Sequence, residues 1–328
     1  MLKSQPRIRL DPWAAEYDRS IQIGAEADEA DPAAVDIRVE TPVWAAVRPT
    51  TGPAPRRIAF VDGVRRIEHR LLVEDGSGTV FGLLGSYGVG AALVAAEARV
   101  AHESVVRVAV TGNGLLLRPF PAPIGDGRAG VVFEPLAEPE NTPAAPVEGL
   151  QKAMRAGEAS LAERVGGEVD VVFLDGPLTY VTAAQQGPVV GFVKKLLRTY
   201  LDPGASALLP CLAVGERTPL FLVDASRGPR YSWYLRIGLG RAIQSALTGI
   251  VRLEASSAGG LDAARTLADL SARELPRFAS EAARDPRAPQ NLLPIGALEA
   301  RLKHLLGDHA VIRRAIETQL QNEVEAVA

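Results

Sequence analysis

Two short segments of this chain place a carboxylate after an apolar run: Ile58-Ala59-Phe60-Val61-Asp62-Gly63 and Val171-Val172-Phe173-Leu174-Asp175-Gly176. Four or five apolar residues closed by a turn dipeptide read as a buried strand. A carboxylate at the end of such a strand stands at the rim of the core, where an unpaired charge is costly. One such Asp is ordinarily a turn former that caps its own backbone. Two of them, in separate strands, suggest acids brought together around a cation. A third acid, Glu158, lies three residues after Arg155 in a helical segment that leads into the second Asp-Gly strand. Hard divalent ions such as Mg2+ and Mn2+ take carboxylate oxygens and water. Asp62, Glu158 and Asp175 would supply ligands for one or two of them. A pair of ions about 4 Å apart activates a water and stabilises the leaving oxygen of a phosphodiester. Taken alone, Glu158 reads as a solvated helix position paired with Arg155, and the metal reading depends on the combination.

The elements that must position these acids follow from the pattern. Residues 1–56 are rich in proline, cluster acids between Glu26 and Asp31 and have poor hydrophobic periodicity. They read as an N-terminal arm or partner-docking segment, with the main domain over residues 57–328. Strand-like runs cover 58–63, 66–74 and 78–85, with Asp75-Gly76-Ser77-Gly78 as punctuation, and more strand runs through Val105 to Val110. Gly85 to Gly90 lacks the spacing of a nucleotide loop and reads as a bulged strand or hairpin tip. A Pro/Glu-rich linker is expected from Glu134 to Val147. Leu150, Met154, Leu161 and Val165 recur at helical spacing over 148–165. A strand at 169–174, a helix over 181–201 and strands near 219–224, 231–238 and 249–254 follow. Helical stretches near 261–283, 294–306 and 308–325 close the chain. The order implies an α/β protein with a mixed sheet flanked by helices.

Composition narrows the classes. A chain of 328 residues with 47% apolar and 23% charged residues can build a large core and a soluble surface. Net charge of −3 does not announce nucleic-acid binding, so any basic footprint must be a local groove. The single cysteine, Cys211, reads as a buried, inert thiol. No stretch approaches a membrane span and no signal core begins the chain, so a cytoplasmic protein is expected.

Several ordered motifs resemble the NurA family, nucleases that act with the HerA translocase at DNA ends. Ile58 to Gly63 with Arg65 resembles the family's first strand. Arg155-Ala156-Gly157-Glu158 resembles its Arg-x-x-Glu helix, and Phe173 to Leu178 its second Asp-Gly strand. Val190 to Lys195 is similar to its Gly-then-Lys segment. Tyr234 to Ile237, Val251 to Glu254 and Asn291 to Ala300 resemble its late strands and closing helix. The similarity covers residues 57–310. It implies a ribonuclease-H-like core, a homodimer, and Mn2+- or Mg2+-dependent DNA cleavage, with two ions held by Asp62, Glu158 and Asp175. A HerA-type hexameric ATPase would be the partner, and double-strand-break end resection the setting. Lys194, Arg65 and Arg66 would hold DNA phosphates, Lys195 being read as a solvent lysine. The chain departs from the family at Val64, where Ser is common, and at Arg301, where His is usual. His304, one turn on, and Glu299 are the candidate distal ligands.

Two other classes compete with the nuclease. One is a catalytically degraded relative that docks DNA or a motor, kept open by Arg301. The other is an actin-like phosphotransferase, which needs a nucleotide loop that the sequence does not show.

Overall fold

The computed structural model describes residues 7–10, 34–74, 76, 78–125, 129–182, 187–194, 200–225, 228–241, 243–281, 283 and 288–325. In chain order the strands are β1 (Arg7–Leu10), β2 (Ala34–Asp36), β3 (Ile58–Glu74), β4 (Thr79–Val94), β5 (Ala98–Thr111), β6 (Phe120–Ile124), β7 (Ala129–Ala137), β8 (Val171–Asp175), β9 (Val189–Val193), β10 (Phe221–Asp224), β11 (Arg230–Arg236) and β12 (Ile250–Ser256). The α-helices are α1 (Ala145–Val165), α2 (Pro203–Ser206), α3 (Gly260–Glu274), α4 (Leu293–Leu305) and α5 (His309–Glu325). One 12-stranded mixed sheet runs in the order β2-β10-β11-β12-β9-β8-β3-β4-β5-β7-β6, with β1 added to β3.

The strand that organises the site is β3. Its sequence, IAFVDGVRRIEHRLLVE, is dense in β-branched and large apolar residues and stays extended for 17 residues. One edge of β3 pairs with β4 from Ile58 to Glu74. The other edge pairs in parallel with β8 only from Ile58 to Val61. That edge next meets β1, at Leu71 to Glu74. Between these two partners, residues 62–70 have no strand on this edge among the described residues. The sheet therefore carries a notch in its middle, and Asp62 is its first residue.

Helices cover both faces around the notch. Helix α1 lies on one face, where Met154 and Leu161 pack with Val61, Val172 and Leu174. Its first turn holds Pro146 and Glu148 and its last turn Arg164, an arrangement that suits the helix dipole. Helices α3 and α4 cover the other face, over Phe60, Phe173 and Phe192. There the Phe60 and Phe173 rings stack at 5.5 Å, and Phe278 meets Phe60 edge-on at 5.0 Å. Helix α5 packs further along, against Leu71, Val73 and Phe133.

Several expectations are corrected. The runs at 58–63 and 66–74 are one strand, so Asp62-Gly63 lies within a strand rather than at its end. The expected linker from Glu134 begins as the end of β7, which runs to Ala137, and α1 starts at Ala145. The helix expected over 181–201 is not formed at Val189–Val193, which is a strand between β8 and β12. A five-residue apolar run with three valines, buried on both faces, prefers that state. Cys211 is exposed, at the end of a short 3-10 turn. Gly85 to Gly90 lies inside β4, with a register irregularity between Val89 and Ala91.

Residues 34–57 are fastened to the domain by a buried charge network. Arg217, 1% exposed, donates to Glu40 Oε1 at 2.8 Å and to Asp269 Oδ1 at 2.8 Å. Asp269 Oδ2 in turn accepts from the Thr50 hydroxyl at 2.7 Å. Removing the shared cation would take from Asp269 its guanidinium partner and leave Glu40 with Arg265, at 3.3 Å, and the Leu220 amide. Arg217→Ala is therefore expected to lower stability by about 3–5 kcal/mol, read as a lower urea midpoint, and to expose residues 34–57 to limited proteolysis.

Candidate active site

The notch brings together groups from both faces of the sheet. Register in the β3–β8 pair runs from Ile58/Val171 to Val61/Leu174, so Asp62 and Asp175 stand next in line. Adjacent strands lie about 4.8 Å apart, and alternation puts both side chains on the face that carries Phe60 and Phe173. Glu158 comes from the opposite face, on α1. It gets through because residue 63 has no side chain. A Cβ on Gly63 would lie 2.5 Å from Glu158 Oε1 and 3.0 Å from Met154 Cγ. Because β8 ends at Asp175, no further strand separates the two faces there.

The electrostatics record this convergence. Burial, then the charges of Asp175 and Glu158, hold the Asp62 carboxyl well above the usual range, against the pull of Lys194 and the Gly63 amide. Burial pushes Glu158 up to about 7, with Arg155 opposing and Asp175 adding to the rise. Glu158 is 1% exposed. Its Oε2 accepts from Arg155 Nη1 at 2.8 Å. Its Oε1 is buried without a hydrogen-bond partner, although the Gly63 amide favours the ionised form.

Two cations partly neutralise the three carboxylates. Arg155 Nη1 also donates to the Asp175 carbonyl. Lys194 Nζ donates to Asp175 Oδ2 at 2.6 Å and to Asn291 Oδ1 at 3.0 Å. Among the described residues no group of three or more His, Cys, Asp or Glu side chains is already drawn up as metal ligands. The donor set nonetheless suits a hard divalent cation. It contains only carboxylate oxygens, one of them orphaned in the interior, and negative charge in excess of positive.

The remaining candidates divide. Arg65 points to the α1 face, where its Nε donates to Gln151 Oε1 at 2.6 Å. Its terminal nitrogens have no partner among the described residues, and Arg155 is close enough to depress its pKa after burial has done so. Arg66 points to the other face and is spent on structure. It pairs with Glu68 at 2.9 Å and donates to the Gly307 and Leu306 carbonyls at 2.9 and 3.1 Å. Glu299 pairs with Lys303 at 3.2 Å. His304 is exposed, two residues past Leu302 and so turned away from the stripe of Ile295, Leu298 and Leu302 that faces the sheet. Arg301 is exposed too and pairs with Glu103 at 3.2 Å. Lys195 lies outside the described residues.

Lys194 follows the strand β9 directly instead of sitting in a helix. Sequence reasoning missed Asn291 as a site residue, although it opens the motif that runs into α4, and gave Arg155 only a pairing role. Asn291 is 2% exposed, and an Asn before an apolar run carries no signal of burial.

The chain is thus a mixed α/β protein whose large sheet is flanked by helices and notched at a cluster of acids. No family model matches it, and no curated protein matches it either. Among solved structures it is similar to the crystal structure of the NurA nuclease from Sulfolobus solfataricus, with a TM-score of 0.48 and 11% identity. The match covers 87% of this chain and 88% of that chain. What this chain does chemically has to be read from its own side chains.

Two outcomes follow from the acid cluster. With EDTA present, Glu158 keeps its proton in the folded state up to about pH 7, against 4.5 for the ordinary side chain. The native protein therefore binds the extra proton between these values, and unfolding free energy falls as pH rises through that window, by about 3 kcal/mol. Urea unfolding from pH 4.5 to 8 should show this fall in the wild type and a flatter profile in Glu158→Gln. Separately, Gly63→Ala should leave the chain folded while displacing the Glu158 carboxylate. A variant with a native melting curve and wild-type activity would show that the glycine is not required as a passage.

Proposed function

We propose that this chain is a divalent-cation-dependent deoxyribonuclease that hydrolyses phosphodiester bonds at the β3–β8 notch. The observation that carries this reading is the meeting of three carboxylates from three separate elements at one buried place, with Asp62 and Glu158 held above their ordinary pKa. Such buried, mutually repelling acids are kept only where something offsets the cost, and perturbed, desolvated acids are candidates for functional sites. The ordered motifs that resemble the NurA family support the same reading from the sequence.

Asp62, Glu158 and Asp175 would hold Mn2+ or Mg2+, one ion or two. When bound, the metal would supply an activated water and charge stabilisation for the leaving oxygen. The chain's own residues do the rest. Arg155 fixes the Glu158 carboxylate through Oε2 and leaves Oε1 for an ion or a proton. Lys194, steadied by Asn291, keeps a positive charge beside Asp175 where a phosphate oxygen would arrive. Arg65 offers its free guanidinium end to a neighbouring phosphate, held by Gln151 from behind. Arg66, committed to Glu68 and the α4 terminus, has no such role.

The resemblance further supports a HerA-type hexameric translocase as partner, a homodimeric assembly and a role in processing double-strand breaks. No helix among the described residues is long and apolar enough to cross a membrane. A second reading, a docking module with a degraded site, draws on Arg301, which pairs with Glu103 where the family has His.

The test is cleavage of labelled single-stranded and duplex DNA with Mn2+, Mg2+ or EDTA. Metal-dependent cutting should be abolished in Asp62→Asn, Glu158→Gln and Asp175→Asn, all folded. Arg65→Ala should weaken DNA binding and lower the slope of log K against log salt by about 1. A wild type that binds DNA but never cuts, even with a translocase and ATP, would favour the docking module.

A further inference from the structure

We propose that Glu254, on β12, is a positioning residue that fixes the turn carrying Asp175, and this rests on the nuclease reading above. Glu254 is buried completely, two strands away from Asp175. Its Oε1 accepts from the Leu178 amide at 2.6 Å, three residues beyond Asp175. Its Oε2 accepts from Arg252 Nη1 at 2.6 Å and faces Arg230 Nε at 3.4 Å. Arg252 lies 4.9 Å from the centroid of the Tyr200 ring. Each carboxylate oxygen thus accepts one hydrogen bond within the protein, from the Leu178 amide and from Arg252, with Arg230 adding only an ion pair. It acts on the acid cluster through backbone.

The reach from β12 to the turn passes over β9 at a second glycine. A Cβ on Gly191 would lie 2.9 Å from Glu254 Cγ, 3.0 Å from the Gly176 carbonyl oxygen and 3.1 Å from Leu178 Cγ. Gly191 pairs with Glu254 on one side and with Leu174 on the other, so this line runs straight across three strands to the residue before Asp175. The turn has two more anchors. The Gly176 amide donates to the Phe192 carbonyl at 2.9 Å, and Arg155 Nη1 lies 3.0 Å from where a Gly176 Cβ would be. Gly176 has φ of +114°, a conformation that glycine adopts without strain. Arg155 grips this turn from α1 and Glu254 grips it from β12. Together they set the position of the Asp175 carboxylate, which is near enough to Asp62 to raise its pKa. Partners that orient a ligand from behind typically change metal affinity 10–100-fold when lost.

The experiment measures Mn2+ binding by the loss of the free-ion electron paramagnetic resonance signal, together with cleavage against Mn2+ concentration. It compares full-length wild type, Glu254→Gln, Gly191→Ala and Asp62→Asn. Glu254→Gln removes the charge that holds Arg252 and Arg230. Gly191→Ala leaves that charge and crowds the turn, so it carries the test if the first variant does not fold. The half-saturating Mn2+ concentration should rise about 10–100-fold in each folded variant, with DNA affinity measured in EDTA unchanged. Unchanged Mn2+ affinity in folded Glu254→Gln or Gly191→Ala, with affinity lost in Asp62→Asn, would overturn the proposal and leave the nuclease reading intact. A wild type that neither binds Mn2+ nor cuts would instead remove the reading on which it rests.

Discussion

The burial of carboxylates beside one another, where β8 ends against β3, is the constraint around which the site is arranged. Buried Asp62 and Glu158 cannot both ionise beside Asp175 without compensation. Asp62 and Glu158 answer by holding protons more tightly, while Arg155 and Lys194 bring opposing charge. Each compensating group is itself held by something else. Arg155 spans Glu158 and the Asp175 carbonyl, and Lys194 leans on Asn291 at the entrance to α4. The site is thereby tied to α1, β9 and the start of α4, three elements remote from one another in sequence.

Glycine supplies the access. Gly63 admits Glu158 from one face, and Gly191 lets Glu254 reach the Asp175 turn across β9. In both places the missing side chain is a passage for a carboxylate, and the need is close approach rather than an unusual backbone angle. A second polar centre, away from the site, uses the same strand. Buried Glu68 accepts from Ser86 at 2.6 Å and pairs with Arg66, while Arg66 and Arg107 both reach the Leu306 carbonyl. Helices α4 and α5 are thus pinned at their junction to β3 and β5.

How much of this could be read from the sequence depends on whether the signal was local. Helix α1 was readable because its apolar spacing is regular, and β8, β10, β11, β12, α4 and α5 because apolar runs and turn residues bound them. The continuity of β3 was not, since Asp62-Gly63 carries the composition of a turn and only pairing with β4 overrides it. Strand β9 was misread as helix, yet Val-Val-Gly-Phe-Val between Gly187-Pro188 and two lysines had the length and branching of a buried strand. The three acids are legible from their places beside apolar runs. Their convergence, and the roles of Arg155 and Asn291, arise from strand register and helix placement. The burial of arginines 217 and 252 leaves no trace, because a charged residue in a sequence looks the same whether it faces water or a carboxylate.

The irregularity in β3 between Ile67 and His69 has a consequence for how this strand can be altered. A β-strand is a two-phase ladder, and a shift by one rung exchanges every residue between its faces. Upstream of the irregularity Asp62 shares a phase with Phe60 and Val64, downstream Leu71 and Val73 pack against α5, and Glu68 is the extra residue between the two halves. The extra residue works as a phase adjuster between two clocks that must each keep their own time. Single-residue insertions or deletions in β3 would be tolerated by neither half, whereas a compensated pair straddling residues 67–69 would move the adjuster and leave both halves in step.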